Sequence, residues 1–414
     1  MKHVAIIGSG PAGCYLAEQL LRALPKGRID VIERLPVPFG LVRYGVAPDH
    51  QGTKNISRLL DRTLGRDRVR FFGHVDVGRD VKLDELRALY DAVVLATGAP
   101  HDRRLGIPGE DLPGVVGSGA FVGWYNNHPD YPEPAIAGLR SAVVIGNGNV
   151  AIDVVRVLAK TGDELAGSDL TPEVTGRLAQ QPLEVIHVVG RRGAEHAKFA
   201  PEEVAELGHL ARARPAFADP EALARARAAG GGGKTLEVLE GFRHDARDVP
   251  VRILFHFDMR PERIEGDGRV ASVHFAHTDG HQSTLAAQLV VTCIGYETTA
   301  CDTRRPERGI FANDAARIED GLYVVGWAGR GPSGTIPTNR AEAQRVAKRM
   351  AGEVGDHGRR GGDALAELLA QRGVRSVDHA GWKRIEAAET ARAGAGRCRA
   401  KFASTRAMMA ALDG

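Results

Sequence analysis

Two glycine-rich turns are the parts of this sequence whose residue types and spacing most clearly predict chemistry. The first, GSGPAG, spans residues 8–13, and the second, GNGNVA, spans residues 146–151. Each follows a run of β-branched residues and precedes a segment of helical periodicity, a setting in which glycines let a pyrophosphate approach the backbone at a helix N-terminus. One such turn is a weak signal, but two predict two dinucleotide sites. Their candidate cofactor-binding residues are Gly8, Gly10, Pro11, Ala12, Gly13, Gly146, Asn147, Gly148, Asn149, Val150 and Ala151.

The end of the next strand distinguishes the two sites. After the first turn, the strand IDVIER reaches Glu33 roughly twenty residues beyond the glycines, where a carboxylate accepts hydrogen bonds from ribose hydroxyls and repels a 2′-phosphate. The first site should therefore take FAD or NAD. After the second turn, the strand LEVIHVVG is followed by Arg191 and Arg192, whose guanidiniums pair with a 2′-phosphate and so select NADP. The alternatives are a first unit without a ligand and an ordinary exposed arginine pair.

The segments around both turns must hold these residues in place, and their patterns predict an α/β protein. Residues 3–7 predict a buried parallel strand, the segment after the first turn a helix, and residues 29–34 a second strand. The same order recurs around the second turn. Residues 141–145 predict a strand, the segment after the turn a helix, and residues 183–190 a further strand. Each turn therefore joins a strand to a helix, as a dinucleotide fingerprint requires.

Length, charge and cysteine content exclude several classes of protein. A chain of 414 residues is long enough for two or three domains. Its 55 basic and 52 acidic residues leave a net charge of +3, which gives no support for nucleic-acid binding. The four cysteines form no C-x-x-C pair, so we expect no disulfide framework, no metal site and a reducing, cytoplasmic setting. We also expect no signal peptide and no membrane span.

Two further stretches carry a family resemblance. Residues 35–54, LPVPFGLVRYGVAPDHQGTK, form a loop too long for a plain connection, and residues 90–99, YDAVVLATGA, form a strand that ends in Ala-Thr-Gly. This ATG motif resembles that of FAD-containing pyridine-nucleotide oxidoreductases with the glutathione-reductase fold. The stretches PFGLVRYGVAPDH, GNGNVAIDVVRVL, VVGRRG, GWAGRGPSG, GVRSVDHAGWKRIEAAE and GRCRAKF are similar to the adrenodoxin-reductase type of ferredoxin-NADP reductase.

The resemblance implies a fold and an activity. It implies two Rossmann-like, three-layer nucleotide-binding domains, with the second inserted into the first: an FAD-binding domain at 1–106 and 325–414, and an NADP-binding domain at 107–324. It also implies an enzyme that carries electrons from NADPH through FAD to a ferredoxin or similar iron-sulfur protein. The oligomeric state stays open, with a monomer favoured. Helical segments from residue 363 onward should pack on the FAD-binding domain.

The resemblance also assigns residues. It implies that His50 and Glu206 form a polar catalytic pair near the nicotinamide, and that further residues bind the cofactors. One departure is Pro337, where many relatives have glycine or threonine, which puts a backbone N–H contact to the flavin in doubt. The additional cofactor-binding candidates are Arg34, Gly40, Leu41, Val46, Ala96, Thr97, Gly98, Glu203, Trp327, Gly334, Thr335 and Ile336.

An Ala-, Arg- and Gly-rich stretch at residues 211–250 is the weakest part of the resemblance. It predicts a solvent-exposed insertion, and Arg212, Arg214, Arg225 and Arg227 within it could steer an acidic partner. Two other functions remain open from the sequence. One is an NADPH-flavin electron-input module like the small subunit of glutamate synthase, which usually brings iron-sulfur cysteines. The other is a flavoprotein that binds nucleotides without turnover.

Overall fold

The computed structural model describes residues 1–394 and 396–413, and these divide into two compact units. Unit 1 comprises Met1–His101, Tyr296–Gly394 and residues 399–413, and unit 2 comprises Asp102–Gly295 and residues 396–398. Residues 395 and 414, which the sequence analysis included in the FAD-binding domain, lie outside the described residues. No helix among the described residues is both long and apolar enough to cross a membrane.

The strands and helices are as follows. The strands are β1 (His3–Ile7), β2 (Arg28–Ile32), β3 (Val69–Phe72), β4 (Ala92–Leu95), β5 (His101–Asp102), β6 (Val115–Gly117), β7 (Ser141–Ile145), β8 (Val185–Val189), β9 (Ala213–Phe217), β10 (Val251–His256), β11 (Met259–Glu265), β12 (Ser272–His277), β13 (Gln282–Ala286), β14 (Leu289–Thr292), β15 (Tyr296–Glu297), β16 (Arg317–Glu319) and β17 (Leu322–Val324). The helices are α1 (Pro11–Ala23), α2 (Leu41–Tyr44), α3 (Gln51–Lys54), α4 (Ser57–Leu64), α5 (Leu83–Leu89), α6 (Ser118–Tyr125), α7 (Asn149–Ala159), α8 (Pro172–Ala179), α9 (Pro201–Ala205), α10 (Ala222–Ala228), α11 (Lys234–Gly241), α12 (Trp327–Arg330), α13 (Ile336–Glu353), α14 (Gly362–Gln371), α15 (His379–Ala391) and α16 (Thr405–Ala410).

Unit 1 is built on a six-stranded sheet in the order β16-β17-β4-β1-β2-β3. All neighbours are parallel except β16 and β17. In the central strand, Ile6 lies opposite Val31 on β2 and Val94 on β4. Each of these side chains is completely buried, as expected for strands covered by helices on both faces. Helices α1 and α13 pack closely together, and Leu16 and Met350 belong to the same core.

Unit 2 has a second six-stranded sheet, in the order β6-β14-β7-β8-β10-β9, and every pair in it is parallel. A separate antiparallel sheet, β11-β12-β13, follows β10. Residues 251–265 are divided between these two sheets, as β10 and β11. The break falls at Asp258, whose φ of 59° lies in the left-handed region and turns the chain.

The stretch at residues 211–250 belongs to the core of unit 2. Strand β9 pairs with β10, and helices α10 and α11 bury Leu223, Ala226, Leu236 and Leu239. The prediction of a solvent-exposed insertion is therefore wrong. Small and apolar residues at helical spacing among the arginines supply a buried face that the composition concealed.

The arginines of this stretch are engaged within the unit. Arg212 donates to three carbonyls: those of Leu158 at 3.0 Å, Ala159 at 2.9 Å and Ala179 at 3.3 Å, at the ends of α7 and α8. Arg225 pairs with Asp219, and Arg227 pairs with Glu240. The placement offers little support for the suggestion that these cations steer a partner.

The return from unit 2 to unit 1 lies at residues 295–296, whereas the boundary expected from the sequence lies at 324–325. Residues 296–324 contribute Phe311, Leu322 and Val324 to a core cluster that also contains Leu95. Strand β17 pairs in parallel with β4 and so completes the sheet of unit 1. This stretch therefore packs with the first half of the chain because its apolar residues cover the sheet there.

Candidate functional site

The first glycine turn joins β1 to α1 through two positions that exclude side chains. A Cβ added at Gly8, whose φ is +110°, would lie 2.4 Å from the carbonyl oxygen of Ala96, and one at Gly13 would lie 2.1 Å from that of Gly8. Gly10 caps α1 and has open space around it, with Pro11 as the first helical residue. The first N–H groups of the helix are thus open to an anionic group, as the pyrophosphate of a dinucleotide requires.

Glu33 lies just beyond β2, and the turn itself holds its carboxylate. The backbone N–H and the hydroxyl of Ser9 donate to one carboxylate oxygen at 3.0 and 2.6 Å, and the N–H of Leu35 donates to the other at 3.1 Å. The oxygen that accepts from Leu35 retains capacity for another donor, so the group can still accept a ribose hydroxyl. The sequence reasoning missed Ser9, although its place between the first two glycines is the signal that could have found it.

The loop at residues 35–54 lies directly against this turn. The N–H of Phe39 donates to the carbonyl of Ser9 at 3.1 Å, and a Cβ on Gly40 would lie 3.2 Å from the Cα of Gly10. Next in the chain is Leu41, which is 46% exposed and is one of two large hydrophobic residues exposed in the described part of the chain. An apolar side chain left open beside a dinucleotide turn fits an aromatic ring system that would cover it.

Three more of the predicted residues lie in or next to this loop, in unit 1. Arg34 is exposed, and Val46 is half-buried and donates its N–H to the carbonyl of Leu41 at 2.7 Å. His50 is half-buried at the start of α3, and its N–H donates to the carbonyl of Ala47 at 3.0 Å.

The ATG stretch borders the same turn. The N–H of Ala96 donates to the carbonyl of Ile7 at 2.8 Å, continuing the pairing of β4 with β1. Gly98 has a φ of +70°, and its carbonyl accepts the hydroxyl of Thr298 at 2.7 Å. Thr97 lies between these two fixed residues, so all three predicted residues are held beside the turn.

The predicted residues that precede α13 in the chain lie close to the start of α1. Gly326 lies so close to the first helix that a Cβ on it would be 2.6 Å from the Cβ of Ala12. The ring of Trp327 stacks on Tyr296 at a centroid distance of 5.8 Å, and its Nε1 donates to Ser333 at 3.1 Å. The structure therefore brings this segment to the start of α1.

The residues at the start of α13 suit the N-terminus of a helix. Thr335 caps the helix, and its N–H donates to the hydroxyl oxygen of Thr338 at 3.1 Å. Gly334 has a φ of +82°, and a Cβ there would lie 2.8 Å from the side chain of Thr338. Pro337 is the second residue of the helix, after Ile336, where a missing N–H breaks no intrahelical bond. The helix N-terminus therefore forms normally despite the proline.

The second turn repeats this design in unit 2. A Cβ on Gly146, whose φ is +143°, would lie 2.3 Å from the carbonyl oxygen of Cys293. Gly148 caps α7 and has open space around it. Val150 and Ala151 follow in the first turn of the helix, and Ala151 is completely buried. The N-terminus of α7 thus presents the same open anion site as α1.

The two asparagines of this turn hold a later segment in place. The carbonyl of Asn147 accepts the N–H of Lys198 at 2.8 Å, and Oδ1 of Asn149 accepts the N–H of Ala200 at 2.7 Å. The side chain of Asn147 also lies against Gly190, where a Cβ would come within 1.8 Å of its Nδ2. These contacts bring the end of β8 and the exposed Lys198 to the turn.

Arg191 and Arg192 follow β8, and both side chains are exposed. Their backbone is fixed, because Gly190 donates to His256 at 2.9 Å and Asp258 donates to the carbonyl of Arg192 at 3.3 Å. Neither guanidinium forms an ion pair with any residue that the structure describes, whereas many other arginines of the chain do. Two unpaired guanidiniums on a fixed backbone suit a phosphate dianion.

A buried arginine that sequence reasoning missed holds the predicted glutamates of unit 2. Arg156 of α7 is completely buried, and its guanidinium lies 2.8 Å from Asp153, 3.2 Å from Glu206 and 3.6 Å from Glu203. Glu203 lies in α9, and Glu206 follows it with its side chain 40% exposed. The i, i+3 spacing of Asp153 and Arg156 was the available signal, but only tertiary packing brings the two glutamates to it.

Three of the four cysteines lie in environments that disfavour thiol chemistry. Burial raises the pKa of Cys14 and Cys293, and it raises that of Cys301 to about 12. All four cysteines of the chain are unpaired. Because the thiolate is the reactive form, the environments of Cys14, Cys293 and Cys301 suppress nucleophilic and redox exchange reactions.

Comparison with known proteins agrees with this arrangement. Residues 2–193 match the family model described as pyridine nucleotide-disulphide oxidoreductase. The cindoxin reductase of Citrobacter braakii is 39% identical over 98% of this chain and 90% of its own length. The NADPH-ferredoxin reductase FprA of Mycobacterium leprae is 36% identical over 94% and 93%. The human mitochondrial NADPH:adrenodoxin oxidoreductase is 36% identical over 99% and 92%.

Solved structures give the same result. Mycobacterium tuberculosis FprA in complex with NADPH matches with a TM-score of 0.93 at 37% identity over the full length of both chains. A thioredoxin reductase from T. acidophilum matches with a TM-score of 0.51 at 14% identity over 85% of this chain, which concerns the fold alone. The predicted family and the predicted α/β fold with two nucleotide-binding units are confirmed.

Proposed function

We propose that this chain, which belongs to the adrenodoxin-reductase type of the pyridine nucleotide-disulphide oxidoreductases, is a ferredoxin-NADP reductase. In this role it carries electrons from NADPH through FAD to a ferredoxin-type iron-sulfur protein. The observation that carries the proposal is that two glycine turns of the same backbone geometry are followed by side chains of opposite charge. Glu33 accompanies the first, and Arg191 and Arg192 accompany the second. A cytoplasmic location and a monomeric state are expectations from the sequence.

FAD fits the first turn on the geometry of unit 1. The N-terminus of α1 would take the pyrophosphate, Glu33 the adenosine ribose, and Leu41 the apolar ring system. When bound, FAD supplies the conversion between the two-electron chemistry of a nicotinamide and the one-electron chemistry of an iron-sulfur centre. The chain's own task is to hold and orient the reactants, since proximity alone accounts for a large part of such barriers.

NADPH fits the second turn. Gly148 leaves room for the pyrophosphate at the start of α7, while Arg191 and Arg192 would bind the 2′-phosphate. NADH lacks that phosphate, so the same residues would discriminate between the two dinucleotides. Lys198, exposed and tied by its backbone to Asn147, would add positive charge to this region.

His50 and Glu206 are our proposed catalytic residues at the nicotinamide, on the strength of the family resemblance. Within unit 2, the buried guanidinium of Arg156 fixes the carboxylate of Glu206 at 3.2 Å, which would limit its rotamers. Within unit 1, His50 belongs to the loop that lies against the first turn. A residue held in this way can orient a substrate group without becoming its covalent partner.

Two experiments decide between this function and the alternatives. The FAD-loaded protein is mixed with NADPH under anaerobic conditions, and bleaching of the flavin absorbance is followed by stopped flow. Rapid bleaching with NADPH and slow bleaching with NADH are expected, and a flavin that stays oxidised would support a non-catalytic nucleotide-binding protein.

Reduced protein is then mixed with candidate ferredoxins from the same genome. Reoxidation with matching reduction of the ferredoxin is expected. Reoxidation by none of them, with bleaching intact, would favour an electron-input module of another complex.

A further inference from the structure

The geometry of unit 1 points to helix α15 as the part that positions the flavin-side loop, with Glu389 and Trp382 as its positioning residues. This inference rests on the proposed function, because the loop matters through the FAD that its residues would contact. The sequence predicted only that the tail packs on this domain. The contacts of α15 give the helix a specific target, the five residues from Phe39 to Arg43.

The target segment has a backbone that needs support. Phe39 has a φ of 86°, in a region that non-glycine residues rarely adopt, and Gly40 has a φ of +47°. One hydrogen bond, from the N–H of Phe39 to Ser9, ties the segment to the glycine turn. Such a strained backbone conformation persists only where several contacts with the surrounding structure hold it. The surroundings here are supplied by α15.

The first support is a buried ion pair. The guanidinium of Arg43, in the turn of α2 that follows Leu41, binds the carboxylate of Glu389, and the two side chains are 3% and 0% exposed. The N–H of Phe402 donates to the same carboxylate at 3.0 Å, which fixes it from the tail side. A buried pair of this kind resists displacement, because removing one partner leaves a desolvated charge. Glu389 therefore determines where α2 lies.

The second support is the indole of Trp382, which is completely buried. Its ring meets the edge of Phe39 at a centroid distance of 5.7 Å, and the guanidinium of Arg43 lies 5.4 Å from its centroid. Trp382 thus contacts Phe39, directly before Gly40, and Arg43, two residues after Leu41. Residues before and after the predicted flavin contacts therefore pack against one side chain of α15.

Helix α15 is itself fixed, so it can act as a reference for the loop. Asp61 of α4 accepts hydrogen bonds from Trp382 Nε1 at 3.0 Å, from Lys383 Nζ at 3.0 Å and from the ring of His379 at 3.0 Å. The first turn of α15 is also capped by Asp378, which accepts the N–H of Gly381 at 2.7 Å. Movement of α2 relative to α15 would have to break the ion pair and the aromatic contacts together.

The test compares Glu389→Gln with Glu386→Gln. Glu386 lies one turn earlier on the same helix and pairs with Lys383 and Arg399 rather than with the loop. Hydrogen exchange at the amides of Val42, Tyr44 and Val46 is measured in FAD-loaded protein, together with FAD affinity and the rate of flavin reduction at saturating NADPH. In Glu389→Gln we expect faster exchange and a reduction rate lower by about tenfold or more, since small displacements of aligned groups carry such effects.

In Glu386→Gln, exchange and reduction should match the wild type. Wild-type exchange and reduction in FAD-loaded Glu389→Gln would overturn the inference. If that variant does not fold, Trp382→Phe decides, because it keeps an aromatic ring but reduces the contacts with Phe39 and Arg43 and loses the bond to Asp61. Changes in the same direction, smaller in size, support the inference, and wild-type behaviour overturns it. Should the wild type itself fail to react with NADPH, the proposed function fails, while exchange and FAD affinity still test the role of α15.

Discussion

The two glycine turns have the same backbone and differ in how their selective residues are held. In unit 1, Glu33 already accepts three hydrogen bonds from the chain, two of them from Ser9 within the turn. In unit 2, Arg191 and Arg192 are exposed and form no ion pair with the described residues. The first arrangement suits a cofactor that stays bound, and the second suits a dinucleotide that exchanges at every turnover. The glycines thus form both dinucleotide sites, and the charged residues after the following strand select which dinucleotide each site binds.

The largest expected effect comes from a substitution that disrupts the backbone conformation shared by the two glycine turns. Gly146→Ala would force a Cβ to within 2.3 Å of the carbonyl oxygen of Cys293 at a φ of +143°. We expect the free energy of unfolding to fall by about 3 kcal/mol, as strain and overpacking together predict. Gly148→Ala is the control, because Gly148 has an extended φ of −123° and open space around it. That variant should keep its stability in urea titrations and lose NADPH affinity, and equal stability of the two variants would contradict this reading of the turn.

The second effect tests the charge that distinguishes unit 2. The double variant Arg191→Ala with Arg192→Ala should raise the KM for NADPH by about 100-fold, because two charge-assisted hydrogen bonds to the 2′-phosphate are lost. The KM for NADH should change little. Steady-state assays with an artificial electron acceptor measure both. Arg243→Ala, an exposed arginine of the same unit, is the matched control. A similar rise for both dinucleotides would remove the 2′-phosphate assignment.

The third effect tests the corresponding carboxylate of unit 1. Glu33→Gln keeps an acceptor for Ser9 and loses the charge, so ribose hydroxyls would bind a neutral amide in place of a carboxylate. We expect FAD to bind about tenfold more weakly, since charge-assisted bonds are roughly twice as strong as neutral ones. Fluorescence titration of the apoprotein with FAD measures this. An unchanged affinity would mean that Glu33 serves only to shape the turn.

The fourth effect concerns acid stability and separates the units in another way. In unit 2, burial lowers the pKa of both His187 and His256 to about 4, and their rings meet at 2.9 Å on neighbouring strands. Both rings are therefore neutral in the folded protein, whereas the unfolded chain takes up protons below a pKa near 6.5. Between about pH 6.5 and pH 4 the unfolded state binds more protons, so the stability of unit 2 should fall as the pH falls through this window.

Urea unfolding at several pH values, followed through the fluorescence of Trp124 in unit 2, checks this pH dependence. The variant His187→Gln should flatten the profile in this window, and a profile as steep as that of the wild type would assign the acid sensitivity to other groups.

The sequence was most informative where the determining contacts are local. Both turns, their strands and helices, Glu33 and the arginine pair follow from residues close together in the chain. Ser9 was within reach of the same reasoning, since it stands inside the first turn. The turn glycines could be identified because positive φ angles and close backbone contacts exclude other residues, a requirement that their spacing already expresses.

Prediction failed where burial depends on distant segments. Residues 211–250 have the composition of an exposed insertion, but β9 pairs with β10, and Leu223 and Leu239 enter the core. Residues 251–265 likewise divide at Asp258 between two sheets. Composition records how polar a segment is on average, and it does not record which of its residues face a neighbour.

The sequence by itself determined that this chain is an α/β protein with two dinucleotide turns, one followed by an acid and the other by two arginines. Tertiary structure alone decided that Arg156 gathers Asp153, Glu203 and Glu206, and that Glu389 binds Arg43 from 346 residues away. The physical reason is that a turn is specified by sterics within a few residues, whereas a buried charge finds its partner only after strands and helices have packed.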